Sequence, residues 1–87
     1  MLKRASIIAE ALERELKISK IKLKIYEKKV KEFESKYKMD SSEFLKKFES
    51  GQLGDDEDFF VWWGYLKALR TLKERIAVLE SELQRLQ

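Results

Sequence analysis

The sequence predicts an all-α protein, an antiparallel hairpin of two long helices with a short connecting helix between them. Two observations support this fold class. Apolar residues recur at alternating spacings of three and four along both ends of the chain, which is the heptad pattern of packed helices. Helix-capping signals bound a short segment between these two ends. We expect a single domain over residues 1–87, with helices at about 3–38, 41–50 and 56–85.

The first long helix is predicted by a seam of apolar or small residues. The members of this first seam are Leu2, Ala5, Ala9, Leu12, Leu16, Ser19, Leu23, Tyr26, Val30, Phe33 and Tyr37. A short alternation at Ile21–Tyr26 is typical of a β-strand, but it extends over only one strand length. The longer heptad pattern outweighs it. We therefore expect a helix of roughly 50 Å, at 1.5 Å per residue.

The short connecting helix has a start signal and a stop signal. The stretch DSSE at 40–43 has the spacing of a capping box, with Asp40 in place of the usual Ser or Thr. Gly51 suits the position just after a helix end, where φ is often positive. The residues expected to be buried between these signals are Phe44, Leu45 and Phe48.

The second long helix is predicted to begin in a run of four acids. Asp55 is a suitable N-cap, and the next three acids fill the first turn, where the helix dipole favours negative charge. Gly64 interrupts the helix at a modest local cost. The second seam contains Trp62, Tyr65, Leu69, Leu72, Ile76, Leu79, Leu83 and Leu86.

Two seams of similar length should pack against each other in opposite directions. The N-terminal half of the first helix would then lie against the C-terminal half of the last. The aromatic residues at the start of the last helix would pack near the bend. Their expected neighbours are Phe33, Tyr37, Phe44 and Phe48.

The first helix carries a second apolar face, opposite its seam. Its members are Ile7, Ala11, Ile18, Ile21 and Ile25. A helix with two apolar faces needs two neighbours, and the hairpin supplies only one. We therefore expect a homodimer with a four-helix bundle, although the short helix or a crystal neighbour offers an alternative cover for this face.

Composition restricts the chemistry. The chain has no cysteine and no histidine, so disulfides, Cys-based zinc sites and the commonest general base are excluded. No apolar run approaches the roughly 20 residues that span a membrane. We expect a cytoplasmic protein that is not an enzyme and uses neither a cofactor nor a metal. Abundant Lys and Glu with no asparagine fits a thermophilic source.

Charge is segregated along the chain. Residues 1–39 carry 12 basic and 6 acidic side chains, whereas residues 40–58 carry 2 basic and 7 acidic side chains. The acids of residues 55–58 do not follow the alternate spacing of a calcium loop, and helix capping explains them better.

Five aromatic residues follow these acids within seven positions, at 59–65. They could form core, a groove for a partner, or a platform for stacking bases. Base stacking needs nearby positive charge, and the neighbours here are acidic. Rings that point around most of a helix leave some surface outside one interface, which favours partner binding beside core packing. The predicted partner-binding residues are Asp55, Asp56, Asp58, Phe59, Phe60, Trp62 and Trp63.

A lysine stripe follows one side of the first helix. The residues that could contact nucleic acid are Lys17, Lys20, Lys24, Lys28 and Lys31. Such a row can neutralise phosphates without reading sequence. No arginine or aromatic residue is interleaved to contact bases, so solvated surface is the stronger interpretation. Nucleic-acid binding and a purely structural coiled-coil subunit remain the alternative functions.

The middle of the chain also carries a resemblance. The stretch KYKMDSSEFLKKFESGQLGDDEDFFVWWGYLKAL, residues 36–69, combines a Tyr-x-Met turn, a short SSEF helix, a G-x-L-G-D loop and an acidic–aromatic helix start. It resembles small helical antitoxin-like proteins of prokaryotic toxin–antitoxin pairs. The resemblance implies a non-enzymatic, antitoxin-like role in which the acidic–aromatic segment binds a toxin-like partner protein.

Overall fold

The computed structural model describes residues 2–86, except for the side chains of residues 2, 3 and 5. Within this range there are three helices, α1 (Leu2–Tyr37), α2 (Ser41–Glu49) and α3 (Glu57–Leu86). No strand occurs in the described range, so the predicted all-helical class is confirmed. Each helix bound lies within one residue of the expected position.

The two long helices pack side by side in opposite directions, as predicted. Ion pairs mark this antiparallel register along their length. Glu15 in the first half of α1 meets Arg75 in the second half of α3 at 2.7 Å, whereas Lys36 at the end of α1 meets Asp58 at the start of α3. The hairpin is elongated, with principal extents of 56 × 21 × 17 Å.

The predicted seams are the surfaces at which α1 and α3 meet. The buried core of the bend joins Val30 of α1, Phe44 of α2 and two residues of α3, Trp62 and Leu69. Further along α3, the buried residues are Leu72, Leu79 and Leu83. Ser19, a small polar member of the first seam, is buried as well. The seam side chains of Leu2 and Ala5 lie outside the described part of the chain.

The caps of α2 follow from its sequence. The Asp40 side chain accepts a hydrogen bond from the Glu43 backbone N–H at 2.8 Å, which satisfies a donor at the helix start. At the other end, Gly51 has a φ of 75°, and the Gln52 N–H donates to the Lys47 carbonyl at 2.9 Å. The capping Asp40 and the positive φ at Gly51 are therefore confirmed, whereas the Glu43 side chain of the predicted capping box pairs with Lys47 at 2.9 Å.

Two of the helix ends that shift by one residue have a clear physical cause. α1 ends at Tyr37, one residue earlier than expected, and Lys38 after it adopts a left-handed φ of 51° so that the Met39 N–H can reach the Glu34 carbonyl at 3.2 Å. At the start of α3, Asp56 takes the capping position that we assigned to Asp55. Its carboxylate accepts from the Asp58 N–H at 2.9 Å, because α3 begins one residue later than expected.

Candidate functional site

The strongest candidate for a functional site is the acidic–aromatic corner, which we define as residues 55–63. It comprises the residues that enter α3 and the first two turns of this helix, where α2 and the end of α1 also meet. The corner contains all seven residues that the sequence predicts to bind a partner. The structure divides them between an inner layer and an outer surface.

Trp62 forms the centre of the inner layer. It is fully buried and stacks on Phe44, with ring centroids 3.8 Å apart and planes 7° apart. Phe33 and Tyr37 of α1 stack on the same indole from the first seam. Phe59 is half-buried against Tyr37, at 5.1 Å between centroids. Trp62 therefore belongs to the core, and no partner can reach it in this fold.

A hydrogen-bond chain holds the polar edge of Trp62. Its indole N–H donates to the Ser41 hydroxyl at 3.2 Å, and that hydroxyl donates to a carboxylate oxygen of Glu34 at 2.8 Å. The Ser41 backbone N–H donates to the same oxygen at 2.9 Å. One carboxylate of α1 thus positions the first residue of α2 and, through it, the buried indole of α3.

Asp58 also faces inward, toward the end of α1. Its carboxylate accepts hydrogen bonds from the Lys36 ammonium and the Tyr37 hydroxyl, both at 2.6 Å. These two donors stabilise the charged carboxylate and lower the pKa of Asp58 below its ordinary value, Lys36 having the larger effect. The same bonds raise the pKa of Lys36 and that of Tyr37. Asp58 therefore acts as a clamp between α1 and α3.

The outer surface of the corner carries exposed apolar groups. Phe60 is 53% exposed and Val61 is 42% exposed. Phe60 rests edge-on against Phe48 of α2, with ring centroids 5.2 Å apart. Trp63 is half-buried, with the Lys67 ammonium 5.3 Å from its ring centre. The rings at this surface are thus held in place from beneath while their outer edges face solvent.

Three acids border this surface. Asp55, Asp56 and Glu57 are exposed, and none of them forms an ion pair with another described residue. Within the described range, no three acidic side chains are grouped closely enough to hold a metal ion. The entry to α3 therefore carries unpaired negative charge a few positions before an apolar patch, while Lys29 and Lys36 lie on the Val61 side of that patch. The acidic entry and the exposed rings suit a basic, partly apolar partner.

A second candidate surface lies on α1. We call it the isoleucine face, and its members are Ile7, Ala11, Ile18, Ile21 and Ile25. All five are exposed, because α3 covers the opposite side of α1 and α2 packs at the bend. The alternative that the short helix covers this face is therefore wrong.

The lysine stripe is exposed along its whole length, as its five members Lys17, Lys20, Lys24, Lys28 and Lys31 show. Lys20 reaches across to Glu80 of α3, at 3.3 Å. Lys17, Lys20 and Lys24 border a shallow groove of about 160 Å³ beside Ile21. The stripe is thus accessible to an anion, although one of its charges is already paired.

Several residues that shape the corner were not singled out in the sequence, namely Glu34, Lys36 and Ser41. Their partners are 7 to 22 positions away along the chain. The only available signal was the position of Ser41 directly after the capping Asp40. In the sequence, Glu34 and Lys36 look like ordinary charged residues of a long helix.

A comparison of the chain with protein-family models, curated proteins and solved structures found no match. Among the described residues, no helix is long and apolar enough to cross a membrane. The antitoxin-like resemblance of residues 36–69 therefore stays an expectation drawn from the sequence. The case for a function depends on the surfaces described above.

Proposed function

We propose that the protein is a non-enzymatic interaction module that binds a basic partner protein through the outer surface of the acidic–aromatic corner. The observation that carries the proposal is the exposure of Phe60 and Val61 a few positions after three acids that form no ion pairs in the described range. Aromatic anchors at the centre of a patch supply most of the affinity of a typical interface. Surrounding charges raise the association rate and select a partner of opposite sign.

The contacts beneath the surface support this role. The ring of Phe48 packs against both Phe60 and Trp63, so little side-chain freedom is lost when a partner covers these two rings. Trp62 and Asp58 serve as the scaffold beneath the patch. Of the residues that the sequence predicts to bind a partner, the proposal keeps Asp55, Asp56, Phe60 and Trp63. It adds two exposed neighbours, Glu57 and Val61.

An antitoxin-like role is the specific form of this proposal that the sequence resemblance implies. In that case the corner would cover a surface of a small basic toxin. The protein encoded by the adjacent reading frame is the natural probe. Its affinity for the hairpin can be measured by titration calorimetry at two salt concentrations.

Two variants test the surface. Phe60→Ser removes the exposed ring, and we expect it to weaken binding at least tenfold, as interface anchors do. The double variant Asp55→Asn with Asp56→Asn removes two charges and keeps the cap of α3, because Asn caps helices as well as Asp does. We expect it to weaken binding and to reduce the salt dependence.

Matched controls come from the same helices. Val78→Ser alters a residue of α3 that is 60% exposed and far from the corner. Glu13→Gln with Glu74→Gln removes two exposed acids elsewhere. Both controls should bind like the parent chain. Equal affinity in the parent and both corner variants would contradict the proposal.

The accessible lysine stripe favours a second candidate function, binding to nucleic acid. The lysines would neutralise phosphates, and binding to duplex and single-stranded oligonucleotides would weaken steeply with salt. Lys24→Gln with Lys28→Gln should then reduce both the affinity and the salt slope. If the chain binds neither oligonucleotides nor the adjacent gene product, the remaining candidate function is that of a purely structural coiled-coil subunit.

A further inference from the structure

Within the described range, the isoleucine face is an exposed apolar surface that no other helix covers. Ile7, Ile21 and Ile25 are 58%, 53% and 51% exposed, and they lie on the side of α1 turned away from α3. From Ile7 to Ile25 the face extends for about 27 Å, at 1.5 Å per residue. An exposed apolar stripe of this length on a helix marks an interaction site. Its narrow width suits another helix.

The spacing along this face identifies the helix. Its core positions are the five members of the face together with the exposed Arg14, which lies on the same side of α1 and is the one charged residue among them. In chain order these positions are Ile7, Ala11, Arg14, Ile18, Ile21 and Ile25. The steps of four, three, four, three and four residues read the same in both directions. An identical helix laid antiparallel therefore places Ile7 opposite Ile25 of the second copy and Ala11 opposite Ile21. We propose that a second copy of the chain covers the isoleucine face in this antiparallel, two-fold symmetric arrangement.

Charges beside the face favour this orientation. In an antiparallel pair, Glu10 of each copy lies near Lys24 of the other, which gives two attractive contacts, and Lys17 meets its own counterpart near the two-fold axis. Glu15 also meets its counterpart, but its charge is already paired with Arg75. Arg14 of each copy lies opposite Ile18 of the other in this orientation, whereas a parallel pair would set the two Arg14 side chains against each other. The antiparallel pair thus combines attractive with repulsive contacts.

A parallel pair would bring only like charges together. It would place Glu10 near Glu15, Lys17 near Lys22 and Lys24 near Lys29. These pairings follow from the heptad register of the face, in which the six residues flank the core positions. The parallel orientation is therefore disfavoured along the whole face.

The arrangement also fixes the shape of the dimer. The isoleucine face and the first seam lie on nearly opposite sides of α1, roughly 150° apart on a helical wheel. Two hairpins joined through this face form a slightly curved layer in the order α3, α1, α1 and α3. This layer differs from the four-helix bundle that we expected from the sequence, because α3 of one copy does not reach α3 of the other.

Disulfide trapping tests the register, since the chain has no cysteine of its own. Ala11→Cys alone should give no disulfide-linked dimer, because its two copies would lie about 15 Å apart along the helix axis. Ile21→Cys alone should behave in the same way. An equimolar mixture of the two variants should form the mixed dimer. A linked dimer of Ala11→Cys with itself would overturn the antiparallel register.

Sedimentation of the cysteine-free chain tests the association itself. We expect a concentration-dependent dimer that Ile21→Glu converts to a monomer with unchanged helix content. Val78→Glu is the matched control on α3 and should leave the dimer intact. A parent chain that stays monomeric at every concentration would overturn the proposal. So would a monomer whose isoleucine face binds vesicles of anionic phospholipid, since that result assigns the face to a lipid surface.

Discussion

The indole ring of Trp62 lies flat on the phenyl ring of Phe44, with a centroid separation of 3.8 Å, and neither residue is exposed to solvent. Phe44 belongs to the nine-residue helix α2, and Trp62 belongs to α3. This contact makes the connecting helix a part of the core. It also leaves Phe60, two residues before Trp62, on the outside of α3.

Truncating the buried indole should destabilise the fold strongly. We expect Trp62→Ala to lower the free energy of unfolding by about 3–5 kcal/mol, because it opens a cavity and leaves the Ser41 hydroxyl without its donor. Trp63→Ala, in a half-buried neighbour, should cost at most about 2 kcal/mol. Urea denaturation followed by circular dichroism measures both. Equal losses in the two variants would contradict the inner and outer division of the corner.

The Asp58 clamp predicts an acid-sensitive contribution to stability. Lys36 and Tyr37 hold the pKa of Asp58 below 3.8, so its carboxylate contributes fully above that pH, and the contribution is lost as the pH falls through the lowered pKa. Asp58→Asn should therefore reduce stability near neutral pH and flatten the decline below about pH 4. Asp55→Asn, which removes an acid that accepts neither bond, is the control. A parent and an Asp58→Asn variant with parallel acid curves would disprove the clamp.

Gly64 offers a stabilising substitution. A methyl group added there would meet no atom within 4 Å, and the residue lies inside α3. Gly64→Ala should raise the free energy of unfolding by about 0.5–1 kcal/mol, because alanine loses less backbone entropy in a helix. Gly51→Ala meets no atom either, but its φ of 75° is unfavourable for alanine, so it should destabilise. Thermal denaturation should move the two midpoints in opposite directions.

The left-handed residue at the end of α1 gives a further prediction. Lys38 has a φ of 51°, which costs a residue with a Cβ about 1–2 kcal/mol. Lys38→Gly should therefore stabilise the protein, by up to about 1 kcal/mol after the entropy of the unfolded chain is included. Lys31→Gly, at an exposed position inside α1, should instead destabilise by about 1 kcal/mol. A loss of stability in both variants would contradict this prediction, because the left-handed φ of Lys38 would then not lower the free energy of unfolding.

The helices were predictable because their signals are local. The heptad seams, the capping Asp40 and the positive φ at Gly51 each depend on residues within a few positions of one another. The capping residue of α3 was displaced by one position, from Asp55 to Asp56. Four consecutive acids offer several caps of similar quality, and local sequence does not choose among them.

Local sequence signals could not predict which residues of the acidic–aromatic corner are buried and which are exposed. Trp62 and Phe60 have similar chemistry and stand two positions apart, yet one is fully buried and the other is 53% exposed.

The pattern of the chain set its helical class, the ends of its helices and the apolar faces of α1, since each follows from spacing along a single helix. The division of the corner required three helices to meet. The ring of Trp62 is buried because Phe44 and the first seam close over it, and Asp58 is a clamp because Lys36 and Tyr37 reach it across the bend. Burial and hydrogen bonding between distant segments depend on how whole helices are placed, and that placement exists only in the folded chain.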